Sequence, residues 1–113
     1  MKKEYRVRKH REFDRIIHAG AKVKTPHYTI YVEKAEDQAH SRIGLAVTKK
    51  NGNAVTRVRI KRQVRAMVSR HFDCKPRLNL IIVIRPSYSP EEKVGNEEEL
   101  AKALAEIKDT AIE

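Results

Sequence analysis

Residues 42–65 read RIGLAVTKKNGNAVTRVRIKRQVR. The stretch opens with alternation: Ile43, Leu45 and Val47 fall on one side, and the small Gly44, Ala46 and Thr48 on the other. That period of two predicts a strand over 42–48, with a small-residue face that a helix or ligand could approach closely. Gly52-Asn53 then breaks the strand, and Asn53 suits a helix N-cap. Placed at about 100° per residue from there, Ile60, Val64, Met67, Val68 and His71 gather on one side. Lys61, Arg62 and Arg65 gather on another, with Arg57 at the seam and Arg59 farther round. Val58, apolar and β-branched, falls among the cations, where a core can offer it little.

Working outward, residues 78–85 (LNLIIVIR) form a nearly continuous apolar run, as expected of a strand covered on both faces. Strand, basic helix and strand make a β-α-β unit, so the two strands should pair in parallel. Such crossovers are almost always right-handed. Upstream, residues 27–33 (HYTIYVE) alternate as another strand, and Lys22-Val23 can start an extra one. Phe13, Ile16 and Ile17 have helical spacing and place a short helix near 11–19, with Gly20 just past its end. Residues 1–10 are basic and aperiodic and read as an extended arm. Near the end, Asn96, Glu99 and the apolar Leu100, Ala103, Leu104 and Ile107 predict a final helix capped by Asn96. Glu97, Glu98 and Glu99 would then suit its first turn through the helix dipole. One domain spanning 1–113, of α+β class, is the expected organisation.

The net charge is +10, and its distribution carries the functional reading. Residues 42–77 hold eleven basic residues against one acidic, whereas residues 78–113 hold four against eight. Between Lys49 and Arg70 no carboxylate occurs. A merely solvated helix face mixes signs, with Glu placed near Lys. A one-sign ridge is matched to a polyanion, because each phosphate it neutralises releases condensed counterions. Lys49, Lys50, Asn53, Arg57, Arg59, Lys61, Arg62 and Arg65 are the candidate RNA-binding residues. Lys49, Lys50 and the Gly52-Asn53 turn also lead into a helix N-terminus, where backbone N–H groups can meet phosphate. The Walker-type phosphate loop is absent.

This constellation resembles the protein subunit of bacterial ribonuclease P. The likeness rests on residues 42–65, with support from YRVRKHREFDRIIHAG near the N-terminus and from NLIIVIRP later, and so touches most of residues 4–86. Three departures mark a divergent or redesigned member. The family's Arg-Asn-Arg reads Arg57-Val58-Arg59, a first-helix aromatic is Ile17, and the C-terminal segment is acidic. The resemblance implies a two-layer αβββαβα sandwich like a ribosomal-protein domain, with the rare left-handed crossover. It implies a role in removing 5′ leaders from precursor tRNA. There the catalytic RNA subunit and its Mg²⁺ perform the chemistry, while the protein docks on that RNA and holds the leader. It also places Phe13, Ile17 and Tyr31 in a leader-binding cleft, to which Arg8, Lys9, Arg11 and Tyr28 are added here as nearby cations and an aromatic. Exposed aromatics stack on unpaired bases while cations track the backbone.

No self-contained catalytic site is legible. There is no nucleophile elbow or triad pattern. His10, His18, His27, His40 and His71 have no partner at metal-ligand spacing, so no metal or cofactor held by the protein itself is expected. Cys74 is the one cysteine, which excludes an internal disulfide and fits a reducing cytoplasm. The longest apolar run, 80–84, is far too short to span a bilayer, and no secretory signal is expected. A monomer in the free state is anticipated. A ribosomal-type RNA-binding protein or RNA chaperone, and a redesigned scaffold keeping the fold without the activity, stay open as alternatives.

Overall fold

The computed structural model describes residues 2–112, with side chains up to residue 109. In chain order the elements are α1 (His10–Ala19), β1 (Ala21–Lys24), β2 (Tyr28–Lys34), β3 (Arg42–Ala46), α2 (Ala54–His71), β4 (Leu78–Ile84) and α3 (Lys93–Ile112). Single 3-10 turns occupy Lys3–Tyr5 and Lys49–Asn51. The four strands lie in the order β1-β2-β4-β3. β1 and β2 form an antiparallel hairpin, β4 runs antiparallel to β2, and β3 pairs with β4 in parallel. The parallel pair read from the β-α-β pattern is therefore present, and the strand starting at Lys22-Val23 is real.

Alternation along each strand sorts side chains between two faces. Tyr28, Ile30, Leu80, Ile82 and Ile84 point to the main core, where they meet Ile60, Val64, Met67 and Val68 of α2 and Leu100, Leu104 and Ile107 of α3. Each α2 residue in that set is at most 1% exposed, and burying such a side chain stabilises the fold by on the order of 1.5–3 kcal/mol. The sandwich of sheet with α2 and α3 carries α1 on its other side. There Val7, Ile16 and Ile81 form a smaller core, flanked by half-buried Phe13, Ile17, Tyr31 and Val83. Covered on both faces, β4 loses the alternation that would mark a one-sided strand.

One local expectation gains detail and another needs correction. The segment read as an extended arm is docked, not free, at residues 6 and 7: after the turn at Lys3–Tyr5, Arg6 bridges Ile43 in parallel, the Val7 N–H donates to the Ile43 carbonyl at 3.0 Å, and Val7 is 4% exposed. Nor is Asn96 the cap of the last helix, which starts at Lys93. Asn96 is buried, its amide donating to the Ser89 carbonyl at 2.7 Å and its own carbonyl accepting from the Tyr28 hydroxyl at 3.0 Å. Glu97 and Glu99 accordingly serve tertiary contacts and not the first turn.

Candidate nucleic-acid interface

The turn between β3 and α2 is fixed from both ends. The Thr48 N–H donates to Asn51 Oδ1 at 3.1 Å, and the Asn51 amide donates to the Arg85 carbonyl at 3.0 Å. Gly52 has φ +128°, a left-handed conformation that side chains resist. Asn53 caps α2 as expected, its Oδ1 accepting from the Thr56 N–H at 2.9 Å. That bond commits the Asn53 oxygen to the helix. Lys49 and Lys50 stand exposed beside the turn.

α2 turns three surfaces outward from its buried stripe. One flank faces α3 and the loop before it. Here Arg59 pairs with Glu91 at 3.2 Å, the Gln63 amide donates to the Pro90 carbonyl, and Arg70 makes a two-point contact with Glu97 at 3.1 and 2.5 Å. His71 also meets Glu97, at 2.7 Å. These partners hold the Glu97 carboxyl down to about 2: the Arg70 bond contributes most, then that of His71. The opposite flank faces the N-terminal segment and β3. It presents Lys61 and Arg65, which line a cleft of about 260 Å³ with Arg6, Val7, Arg8, Phe13, Ile43, Gly44 and Leu45. Between the flanks runs a crest, where Val58, Lys61, Arg62, Arg65, Ala66 and Ser69 border a shallow depression.

Among the described residues, no carboxylate lies within ion-pair distance of Lys49, Lys50, Arg57, Lys61, Arg62 or Arg65. Burial, and after it the charge of Arg6, pushes the Arg65 guanidinium below its ordinary value, so like charges are crowded here without a counterion. Val58 sits on the crest, 57% exposed, with Val55 a turn earlier at 80%. Arg57 is half-buried, and its Nε–H has no partner.

The proposed leader residues divide. Phe13 and Arg8 line the cleft with Lys61 and Arg65, while Ile17 and Tyr31 pack around the small core beneath α1. The close approach has a visible cause: a Cβ on Gly44 would lie 2.6 Å from Phe13 Cζ and 2.8 Å from Ile81 Cδ1. The small face expected of β3 thus seats the Phe13 ring. Lys9 opens onto an adjoining basic pocket instead. Tyr28 does not belong to the cleft. It is 0% exposed on the opposite sheet face, stacks edge-on to Tyr88 with ring centres 5.8 Å apart, and spends its hydroxyl on the Asn96 carbonyl. Burial pushes its phenol well above the ordinary value, with Tyr88 and Glu99 adding to the effect. Alternation gave its parity against Tyr31; which parity faces α1 depends on the packing of α1. Arg59 departs from the free basic set because Glu91 takes it up. Arg6 joins the set: its sequence signal was its place two residues before Arg8, inside a basic run read as an extended arm.

Glu99 accepts from the Thr25 hydroxyl at 2.5 Å and the His27 N–H at 2.8 Å, and its other oxygen meets His27 Nδ1 at 2.6 Å. Burial pushes the half-buried Cys74 thiol up, so it stays protonated and is a poor nucleophile. No group of three or more His, Cys, Asp or Glu is gathered to hold a metal among the described residues, and no helix there is long and apolar enough to cross a membrane.

Comparison with known proteins agrees with this fold. A family model described as Ribonuclease P matches residues 1–108. The ribonuclease P protein component of Exiguobacterium sibiricum is 40% identical over 108 residues, covering 95% of this chain and 90% of that protein. That of Enterococcus faecalis is 38% identical over 99 residues, covering 87% and 81%. Among solved structures, a Staphylococcus aureus ribonuclease P protein mutant described as defective in mRNA degradation superposes with a TM-score of 0.82 at 28% identity, covering 95% of this chain and 90% of that one. The ribonuclease P protein of Thermotoga maritima gives 0.76 at 25% identity, covering 88% and 94%. With match, coverage and fold in agreement, the chain belongs to the ribonuclease P protein family.

Proposed function

We propose that this chain is the RNA-binding protein component of a ribonuclease P and assists removal of the 5′ leader from precursor tRNA. The observation that carries this reading is the sorting of charge on α2. Carboxylates neutralise the flank toward α3, and the flank toward β3 keeps Lys61 and Arg65 free, with Arg62 on the crest. Unpaired cations at fixed helical spacing are what a phosphate backbone requires. The free flank, the crest and Lys49-Lys50 dock on the catalytic RNA. The cleft under α1, with Phe13 as its ring and Arg8 as its cation, holds the single-stranded leader, while Ile17 and Tyr31 form the apolar wall beneath. Ile17 gives that wall apolar contact but no stacking plane.

The protein supplies placement. Holding a strand in register with the scissile bond is itself a large catalytic contribution. The hydrolytic chemistry belongs to the RNA subunit and its Mg²⁺. The free protein acts as a monomer. Reconstitution with a bacterial ribonuclease P RNA at low salt tests the reading: the expected outcome is leader removal that exceeds that of the RNA alone. Tight RNA binding without any gain in cleavage would return the chain to the class of general RNA-binding modules. Cleavage by the protein alone with Mg²⁺ would overturn the division of labour.

A further inference from the structure

Beside α1, against the sheet edge, lies a second basic cavity, of about 570 Å³, lined by Lys9, Arg11, Glu12, Arg15 and Arg42. Four cations face one carboxylate. Two of the cations are pinned. Arg42 is tied to Glu12 through one Nη, and Arg15 donates from Nε and Nη to the two oxygens of Glu33, at 3.2 and 3.0 Å. Glu33 is held in turn by the Asn79 amide at 2.9 Å. Glu33, Asn79 and Arg42 occupy one row across β2, β4 and β3, so the network is built on the sheet itself. It is also incomplete: the buried Nε–H of Arg42 has no acceptor. The remaining cations, Lys9 and Arg11, are exposed and make no ion pair among the described residues. Lys9 stands at the start of α1 with no side chain capping that helix, so the positive end of the helix dipole adds to the field.

The cavity adjoins the cleft: Lys9, Glu12 and Arg42 line the one, and their chain neighbours Arg8, Phe13 and Ile43 line the other. We propose that this cavity is a phosphate site for the RNA strand leaving the cleft, with Arg11 and Lys9 as mobile contacts and Arg15 and Arg42 as fixed ones. The proposal rests on the reading of the cleft as the leader's place and extends its track around α1. Recognition is of backbone charge, not of base identity, because guanidinium and ammonium groups line the site and no aromatic ring does. Glu12 acts as a counterweight, engaging Arg42 until a phosphate oxygen competes for it.

The test uses the holoenzyme reconstituted with a bacterial ribonuclease P RNA and precursor tRNAs carrying a graded series of leader lengths. Affinity is measured relative to mature tRNA at several salt concentrations, with unfolding curves confirming that each variant is folded. Arg11→Gln is expected to lower affinity several-fold only for leaders long enough to reach the cavity, and to reduce the salt slope for those by about 0.7, the value for one single-strand phosphate contact. Glu12→Gln is expected to raise affinity for the same long leaders. Lys102→Gln, an equal change of charge on α3, controls for bulk electrostatics. If Arg11→Gln matches that control, or Glu12→Gln lowers affinity as Arg11→Gln does, the cavity is no phosphate site and the cleft reading stands. If the wild-type holoenzyme gains nothing from any leader, the cleft reading itself fails and the cavity goes with it.

Discussion

The two flanks of α2 carry similar residues and have opposite fates. Arg59 and Arg70 on one flank meet Glu91 and Glu97, while Lys61 and Arg65 on the other meet no carboxylate among the described residues. Both sets come from one continuous run without an acid, so the local sequence does not distinguish them. The difference is made by what packs alongside. α3 and the loop before it bring carboxylates to one edge, and the N-terminal segment and β3 bring Arg6, Arg8 and an aromatic to the other. A helix whose outward surface is basic on both flanks becomes one-sided through its neighbours.

Reversing charge on the free side is the strongest way to break that contrast. Arg62→Glu with Arg65→Glu should weaken binding to the ribonuclease P RNA and flatten the salt dependence by about 0.9 per lost duplex phosphate contact. An unchanged slope in a titration across salt would remove this flank from the interface. Next in size is Gly44→Ala, which attacks the floor of the cleft. The added methyl would overlap the Phe13 ring and Ile81, and overpacking of this kind costs about 1–3 kcal/mol. Thermal unfolding should show the loss, and leader affinity should fall in the holoenzyme while affinity for the RNA subunit holds.

Val58→Asn gives the crest a hydrogen-bonding group at a position now occupied by an exposed methyl pair, and a modest rise in RNA affinity is expected; no change would show the valine to be neutral. On the paired flank, Glu97 contributes to acid behaviour. Its carboxyl lies near 2 in the fold against an ordinary 4.5. A depressed carboxylate contributes stability that is present above about pH 4.5 and fades as pH falls toward 2. Glu97→Gln should therefore flatten the stability profile in that window, more at low salt because the Arg70 contact is partly exposed. The smallest effect belongs to Glu91→Gln. Freeing Arg59 should raise RNA affinity slightly and steepen its salt dependence, and a fall would mean that the pairing orders the interface.

Much of this was legible in residue order. The unbroken apolar run of β4 announced a strand covered twice, and the α2 stripe of Ile60, Val64, Met67 and Val68 is buried as helical spacing requires. Gly44 with Ala46 announced a close approach, and the Phe13 ring supplies it. What stayed hidden depends on partners distant in sequence. Tyr28 and Tyr31 differ by three positions, and alternation assigns them to opposite faces without saying which face lies under α1. Glu91 lies 32 positions from Arg59 and Glu97 27 from Arg70, and no periodicity links such pairs. Asn96 has the look of a cap, yet the Ser89 carbonyl was a better partner for its amide once the loop folded back. The cavity beside α1 was equally hidden, since Arg11, Arg15 and Arg42 come together only when the helix lies across the sheet.

The strand order has a consequence for synthesis. β4 sits between β2 and β3, and both of its neighbours precede it in the chain. Until residue 84 has been polymerised, the nascent polypeptide holds a hairpin and a lone strand with nothing to join them. The basic helix is therefore translated before the sheet that will orient it. The sheet closes late, through contacts between distant parts of the chain, a kind of ordering that is slow because the loops must be drawn in before any pairing rewards it.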